Sequence, residues 1–312
     1  MKACRIYEFG APSVISFEEV ERPEPEPDEV IVKVHAAGVG PWDSWIRAGK
    51  SVLPQPLPLT LGSDLSGRVV ELGAEVRGFE IGQAVYGVTN PRFTNAYAEY
   101  AAAKAAMIAP KPSSVSDVDS ASAPVVAVTA LQMLFDHADL KRGQRVLVHG
   151  AGGSVGAFAV QLALEAGAQV IGTDVTQGVE YAASLGPVQT IDVSSTRFEQ
   201  VTEPVDVVID TVGGEVLRRS FAVLKADGCL ISSVEQPNPE DAARAGVRAK
   251  FMLVDVTRAA LSRLGASLDA GTLKARVGSV LPLADARIAH EMLDGLRPRT
   301  PGKIVLSVAD GS

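Results

Sequence analysis

Between Val146 and Ala163 the chain reads VLVHGAGGSVGAFAVQLA, and this stretch restricts the fold more than any other. Val146, Leu147 and Val148 form a short apolar run rich in β-branched residues, the pattern of a buried parallel strand. Five small residues follow: Gly150, Ala151, Gly152, Gly153 and Ser154. Val155, Phe158, Ala159, Leu162 and Ala163 then recur at helical spacing and make one apolar face. Strand, tight turn and helix together aim backbone N–H groups at one point, where they cradle a pyrophosphate. Aligned on its last glycine, the loop reads Ala151-x-Gly153-x-x-Gly156, with alanine at the first fingerprint position. Gly153 then lets the backbone approach the phosphates, and Gly156 lets the helix approach the strand. The plainer alternative is a strand–turn–helix whose glycines serve packing alone. A strand and a helix in the right places, and a second strand at the expected distance, favour the nucleotide reading.

From about residue 121 the chain alternates helix and strand. Helical spacing covers 125–138, the helix after the loop, 178–185 and 215–224. Apolar strand-like runs cover 146–148, 170–173, 205–210 and 229–234. A further strand is expected at 251–256 and an amphipathic helix at 259–270. This alternation specifies an α/β, doubly wound parallel sheet of Rossmann type. Residues 1–120 differ. Short runs at 15–20, 29–36, 65–71, 82–87 and 96–101 read as strands separated by Pro and Gly, with a short helix starting near Pro41. A strand–helix–strand return follows at 280–283, 290–295 and 304–308. The expected organisation is therefore a Rossmann domain over 121–270, inserted into a β-rich domain made of 1–120 and 271–312.

The second strand of the parallel sheet ends in Gly172, Thr173 and Asp174. An acid about 20 residues beyond the glycine loop binds both ribose hydroxyls of NAD and repels a 2′-phosphate. No Lys or Arg lies between Val175 and Glu180 to hold such a phosphate. This favours NAD(H) over NADP(H). The alternative for Asp174 is a helix cap, a role Thr176 could also fill.

Charge and cysteine content exclude several classes. The chain has 29 Lys and Arg against 37 Asp and Glu, a net charge of −8, with no basic run for nucleic acid or a membrane surface. No apolar run reaches membrane-spanning length, and no signal-like apolar stretch follows MKACRIYEFG, so a cytoplasmic protein is expected. Cys4 and Cys229 are too few for a disulfide framework or a structural zinc site. His35, His137, His149 and His290 have no ligand spacing, though His149, beside the glycine loop, is a candidate to line the cofactor cleft.

The ordered set HGAGGSVGAFAVQLA, DVVIDTVGG (206–214), FMLVDV (251–256) and PGKIVL (301–306) resembles the medium-chain dehydrogenase/reductase superfamily. Within it, the chain is similar to the zinc-independent quinone oxidoreductase, or ζ-crystallin-like, branch. GVGPWDSWIRAGK and LGSDLSGRVVELGAEV resemble that branch's N-terminal motifs, so the likeness spans almost the whole chain. The resemblance implies a GroES-like β-rich domain and NAD(P)H-dependent hydride transfer to a quinone or an α,β-unsaturated carbonyl. It also implies a homodimer, with the strand at 251–256 pairing across a two-fold. Metal-dependent members hold catalytic zinc where this chain has Gly40 or Pro41 and Ser63–Asp64, so no metal is expected.

The same resemblance assigns cofactor contacts. Thr129 lies near the nicotinamide or pyrophosphate, beside the loop Gly150–Val155. Val212 and Val234 follow the fourth and fifth strands. Phe251 and Leu253 offer backbone groups to the carboxamide, and Lys303 is a basic residue near the cofactor. On the substrate side Gly40 stands where the family usually has Asn, and Ser51 and Val52 stand where it has a tyrosine. That leaves room for Trp42 or Trp45 to reshape; core packing is the plainer role for both. Asp43 matches the family motif and is expected to hydrogen-bond its own loop or to pair with Arg47 at helical spacing. Tyr86 and Tyr97 either reach the cleft or pack. No side chain is singled out as proton donor. Two other readings stay open at this point: a non-catalytic dinucleotide-binding redox sensor or structural protein, and a zinc alcohol dehydrogenase.

Overall fold

A computed structural model describes residues 1–308, which form two compact units. Met1–Val125 and the described residues from Val256 on make one, and Val126–Asp255 makes the other.

The first unit is built on Glu29–Val39. This strand carries Val30, Ile31, Val32 and Val34, all buried, and pairs antiparallel with Asp64–Leu72, Tyr100–Lys104 and Lys303–Ser307. Ala84–Val88, Ile108–Pro110 and Val277–Pro282 complete a seven-stranded sheet. A smaller antiparallel sheet pairs Lys2–Ile6 with Ser16–Glu19 and Leu59–Thr60. The helix Arg258–Asp269 belongs to this unit. Its Leu261, Leu264 and Leu268, at helical spacing, are buried, Tyr86 Oη donates to the Leu261 carbonyl at 2.6 Å, and Arg258 stacks on Phe79. The span 121–270 expected for the inserted domain takes in this helix, whereas the second unit ends at Asp255.

The second unit is a six-stranded, all-parallel sheet. Its strands in chain order are Arg145–His149, Gln169–Asp174, Val188–Asp192, Val205–Asp210, Leu224–Ser232 and Arg248–Phe251, and they lie in the spatial order 3-2-1-4-5-6. The order reverses between the first and fourth strands. Ligands of such sheets bind at the carboxyl ends of the strands flanking that reversal. Val188–Asp192 escapes the sequence pattern because its polar Gln189 and Thr190 break the apolar run expected of a parallel strand, and it lies at the sheet edge. The strand expected at 251–256 is instead Arg248–Phe251, and residues 252–255 continue without a ladder. The helix expected at 125–138 is Pro124–Leu131, followed by one π-helical turn, Gln132–His137. Similarly, the strand expected at 96–101 is Tyr100–Lys104. Among the described residues no helix is long and apolar enough to cross a membrane.

Candidate dinucleotide site and a buried charged cluster

The glycine loop leaves Arg145–His149 through Gly150, whose φ of +71° lies in the left-handed region that glycine adopts without strain. The N–H groups of Gly150 and Ala151 both donate to the Thr173 carbonyl, which pins the loop to the second strand. The helix Ser154–Glu165 then returns so close that a Cβ on Gly156 would lie 2.0 Å from the Gly150 oxygen. This is the close approach for which the fingerprint needs its last glycine. Gly153 donates to the Gly150 carbonyl and Ala157 to the Gly153 carbonyl. The N–H groups of Ser154, Val155 and Gly156 have no acceptor among the described residues. Three open donors at the start of a twelve-residue helix form an anion cradle.

Asp174 sits behind that cradle. Its Oδ2 accepts from Gly152 N at 2.8 Å and its Oδ1 from Val175 N at 2.7 Å. One carboxylate therefore fixes the loop and still has lone pairs for ribose hydroxyls. The neighbouring turn fits tightly: a Cβ on Gly152 would lie 2.4 Å from Gly178 Cα, and one on Gly178 2.2 Å from the Asp174 carboxyl carbon. Asp192 stands beside Asp174 in parallel register and accepts from Thr176 Oγ1 at 3.1 Å.

The loops after the fourth and fifth strands are shaped by Asp210, a residue the motif DVVIDTVGG contains but whose role spacing alone does not reveal. It is fully buried. Its Oδ1 accepts from Val212 N and Gly213 N at 3.1 and 2.9 Å, and its Oδ2 from Ser232 Oγ at 2.7 Å. Ser232 Oγ in turn accepts from the N–H groups of Val234 and Glu235. An acid closing a strand and followed by Thr, Val and two Gly was the available signal. This network holds Val212 and Val234 with 52% and 41% of their surface exposed, and Leu253, on the next loop, is 60% exposed. All three are apolar side chains left open at the carboxyl edge of the parallel sheet, the edge at which ligands of such sheets bind.

One cofactor expectation is corrected here. His149 does not line a cleft: it is fully buried, Nδ1 meets Thr173 Oγ1 at 2.6 Å, Nε2 meets Ser220 Oγ at 2.9 Å, and its ring packs edge-on to Phe198. Burial, helped by Arg219, pushes its pKa down to about 3, so it is a neutral core residue. Lys303 is likewise not free. Its ammonium is buried in the β-rich unit, 3.1 Å from Asp64 Oδ2 and 4.2 Å from the Trp42 ring centroid. Thr129 is buried in the helix Pro124–Leu131, and Phe251 ends the edge strand.

In the β-rich unit the helix Pro41–Arg47 starts at Gly40. Asp43, fully buried, accepts from Gly40 N at 2.8 Å and from Tyr97 Oη at 3.1 Å through the same Oδ2, while Oδ1 has no partner. The expected pairing with Arg47 does not form. The Arg47 guanidinium turns away to Gly10 O, His290 Nδ1 and Asp294 Oδ2, the last at 2.7 Å. Burial drives the Asp43 pKa up to about 7, against the opposing pull of the Gly40 N–H and Lys303. Tyr97 and Tyr86 are both packed, so neither is available to a cleft. Trp42 is half-buried and lies on Gly40, where a Cβ would come within 2.3–2.5 Å of its ring; its indole N–H donates to Ser63 Oγ at 3.1 Å. Trp45 is half-exposed. Trp42 thus fills the space that the missing side chain at position 40 leaves.

These residues do not fit a zinc ion. Gly40 offers no donor side chain, Ser63 Oγ accepts from an indole, and the Asp64 carboxylate holds an ammonium. Among the described residues no group of three or more His, Cys, Asp or Glu could hold a metal.

A 3-2-1-4-5-6 parallel sheet with an open helix N-terminus at its reversal point defines a dinucleotide-binding protein. Comparison with known proteins narrows the class. Residues 26–113 match the family model of the alcohol dehydrogenase GroES-like domain, and 185–306 that of a zinc-binding dehydrogenase. The chain is 32% identical to a quinone oxidoreductase of Sus scrofa, over 98% of this chain and 97% of that one. It is 30% identical to a 2-methylene-furan-3-one reductase of Solanum lycopersicum, over 98% of this chain and 79% of that one. Among solved structures, the quinone oxidoreductase of Coxiella burnetii superposes with a TM-score of 0.91 at 34% identity, covering 99% of both chains. The Escherichia coli quinone oxidoreductase complexed with NADPH gives 0.87 at 25% identity, covering 98% of this chain and all of that one. The chain belongs to the medium-chain dehydrogenase/reductase superfamily, in its zinc-independent quinone oxidoreductase branch.

Two outcomes follow from the charged cluster. The Gly40 backbone is extended, which any residue adopts, so the cost of Gly40→Ala comes first from the Trp42 ring, whose atoms are the nearest to the added Cβ. It should destabilise the fold by about 1–3 kcal/mol in thermal or urea unfolding. Most of that cost should vanish in a Trp42→Ala background. The folded Asp43 pKa lies above its unfolded value of 3.8, so the native state binds the extra proton between about pH 4 and 7. Wild-type stability should therefore fall relative to Asp43→Asn as pH rises through that window, with a flat difference on either side; a constant difference throughout contradicts the assignment.

Proposed function

We propose that this protein is a metal-free, NAD(P)H-dependent reductase that passes a hydride to a quinone or an α,β-unsaturated carbonyl. The observation that carries the reading is the cradle of open N–H groups at Ser154, Val155 and Gly156, backed by the Asp174 carboxylate. The reduced nicotinamide supplies the hydride when bound. The chain's own part is to bind and orient. The helix N-terminus holds the pyrophosphate, Asp174 accepts from the ribose hydroxyls, and Val212, Val234 and Leu253 keep water from the ring. The proton that completes the reduction comes from solvent or a weak acid; His149, sealed in the core, does not supply it. A non-catalytic sensor is not favoured, because relatives that match over nearly the whole length of this chain are named as a quinone oxidoreductase and a 2-methylene-furan-3-one reductase.

We further assign a preference for NAD(H) over NADP(H). Asp174 and Asp192, adjacent in register, give the adenosine-ribose end a negative potential, and no Lys or Arg lies between Val175 and Glu180. The proposed assembly is a homodimer through Arg248–Phe251, the strand at one end of the six-stranded sheet. Sedimentation showing monomer at all concentrations contradicts it. Cys4 and Cys229 are buried free thiols, which suits a reducing compartment such as the cytoplasm.

The deciding experiment combines NADH and NADPH oxidation over a panel of quinones and enones with metal analysis of the same preparation. Turnover without stoichiometric zinc supports the reading; tight cofactor binding with no turnover on any acceptor, or zinc-dependent turnover, overturns it. In Asp174→Asn, which keeps an acceptor for Gly152 N–H but loses the charge, the ratio of NADPH to NADH dissociation constants should fall about 10-fold. An unchanged ratio contradicts the preference.

A further inference from the structure

Segment 252–255 is held at both ends and bare in the middle. At one end Met252 N donates to the Ser232 carbonyl at 3.0 Å, and the Met252 side chain is buried. At the other end the Gln132 side-chain amide clamps Asp255 through both of its groups: Nε2 donates to Asp255 O at 2.8 Å, and Oε1 accepts from Asp255 N at 3.0 Å. Between these anchors the peptide N–H and C=O groups of Leu253 and Val254 have no partner among the described residues. A short segment with open peptide groups, fixed at each end, is a ready surface for one planar amide.

The clamp comes from an irregular part of the fold. Gln132 opens the π-helical turn Gln132–His137, and the other end of that turn also grips the same strand–loop unit, His137 Nδ1 meeting Lys250 Nζ at 3.1 Å. π-helical turns cost regular hydrogen bonding and collect at functional sites. Here the wider turn carries two contacts to one neighbouring segment, at residues 250 and 255.

We propose that Gln132 is a positioning residue that sets the 253–254 peptide groups to receive the carboxamide of the nicotinamide. The proposal rests on the cofactor reading above, which already gives the carboxamide to the backbone of this segment. What it adds is that the geometry of the open Leu253 and Val254 groups depends on a side chain more than a hundred residues earlier in the chain.

Calorimetry with NADH and with ADP-ribose, which lacks the nicotinamide, separates this role from general support. Gln132→Met keeps the side chain's length and removes both hydrogen bonds. It should weaken NADH binding about 10-fold while ADP-ribose affinity stays within about two-fold. Gln132→Glu, which keeps the acceptor for Asp255 N–H, should fall between wild type and Gln132→Met. Equal weakening of both ligands, or no weakening of NADH, overturns the proposal. A wild-type protein that binds neither ligand overturns the cofactor reading itself, and that result is distinguishable from the other two.

Discussion

The approach of Gly156 to the Gly150 carbonyl sets the geometry on which the dinucleotide unit depends. With no side chain at 156, the helix Ser154–Glu165 begins directly over the end of the first strand, and its first N–H groups face outward together. The loop that makes this possible is held from two sides, by the Thr173 carbonyl and by the Asp174 carboxylate. Both belong to the end of the second strand. The open N–H groups of the helix and the Asp174 carboxylate are therefore parts of one hydrogen-bonded turn, and a change at Asp174 alters loop shape as well as charge.

In the β-rich unit the central interaction is a buried ion pair. Lys303 from the last strand is buried against Asp64 and under Trp42, and Asp64 also accepts from Val125 N. A buried ion pair of this kind offsets its desolvation only when both partners are held, which the packing of Trp42 on Gly40 and Lys303 ensures. Asp43, close enough to feel both charges, sits in surroundings that favour its protonated form. Small residue, large ring and cation thus depend on one another: Gly40 admits Trp42, and Trp42 covers Lys303.

Much of this was legible in the sequence, and the parts that were not share a cause. The parallel sheet and the glycine loop follow from apolar runs and small residues whose local pattern has few other solutions. Asp174 could be placed because its distance from the loop is fixed by the βαβ unit. The placing of His149 in a cleft and the Asp43–Arg47 pairing fail because chain proximity says nothing about burial. His149 is beside the loop in sequence, but its side chain points into the core. Arg47 is one helical turn from Asp43, yet Asp294 and His290 compete for it from far along the chain. Asp210 and Gln132 act through backbone groups of other loops, and no spacing rule records such contacts. The run at 252–256 is apolar enough to read as strand, but an extended segment becomes a strand only where a neighbour supplies a ladder.

The dinucleotide-binding role depends on where the phosphates sit. A titration of the isotopically labelled protein with NADH, followed by backbone amide resonances, addresses this directly. The amides of Ser154, Val155 and Gly156 should show the largest shifts, accompanied by Leu253 and Val254, with those of Ser16–Glu19 unmoved. Saturable binding that leaves the Ser154–Gly156 amides unperturbed would contradict the account.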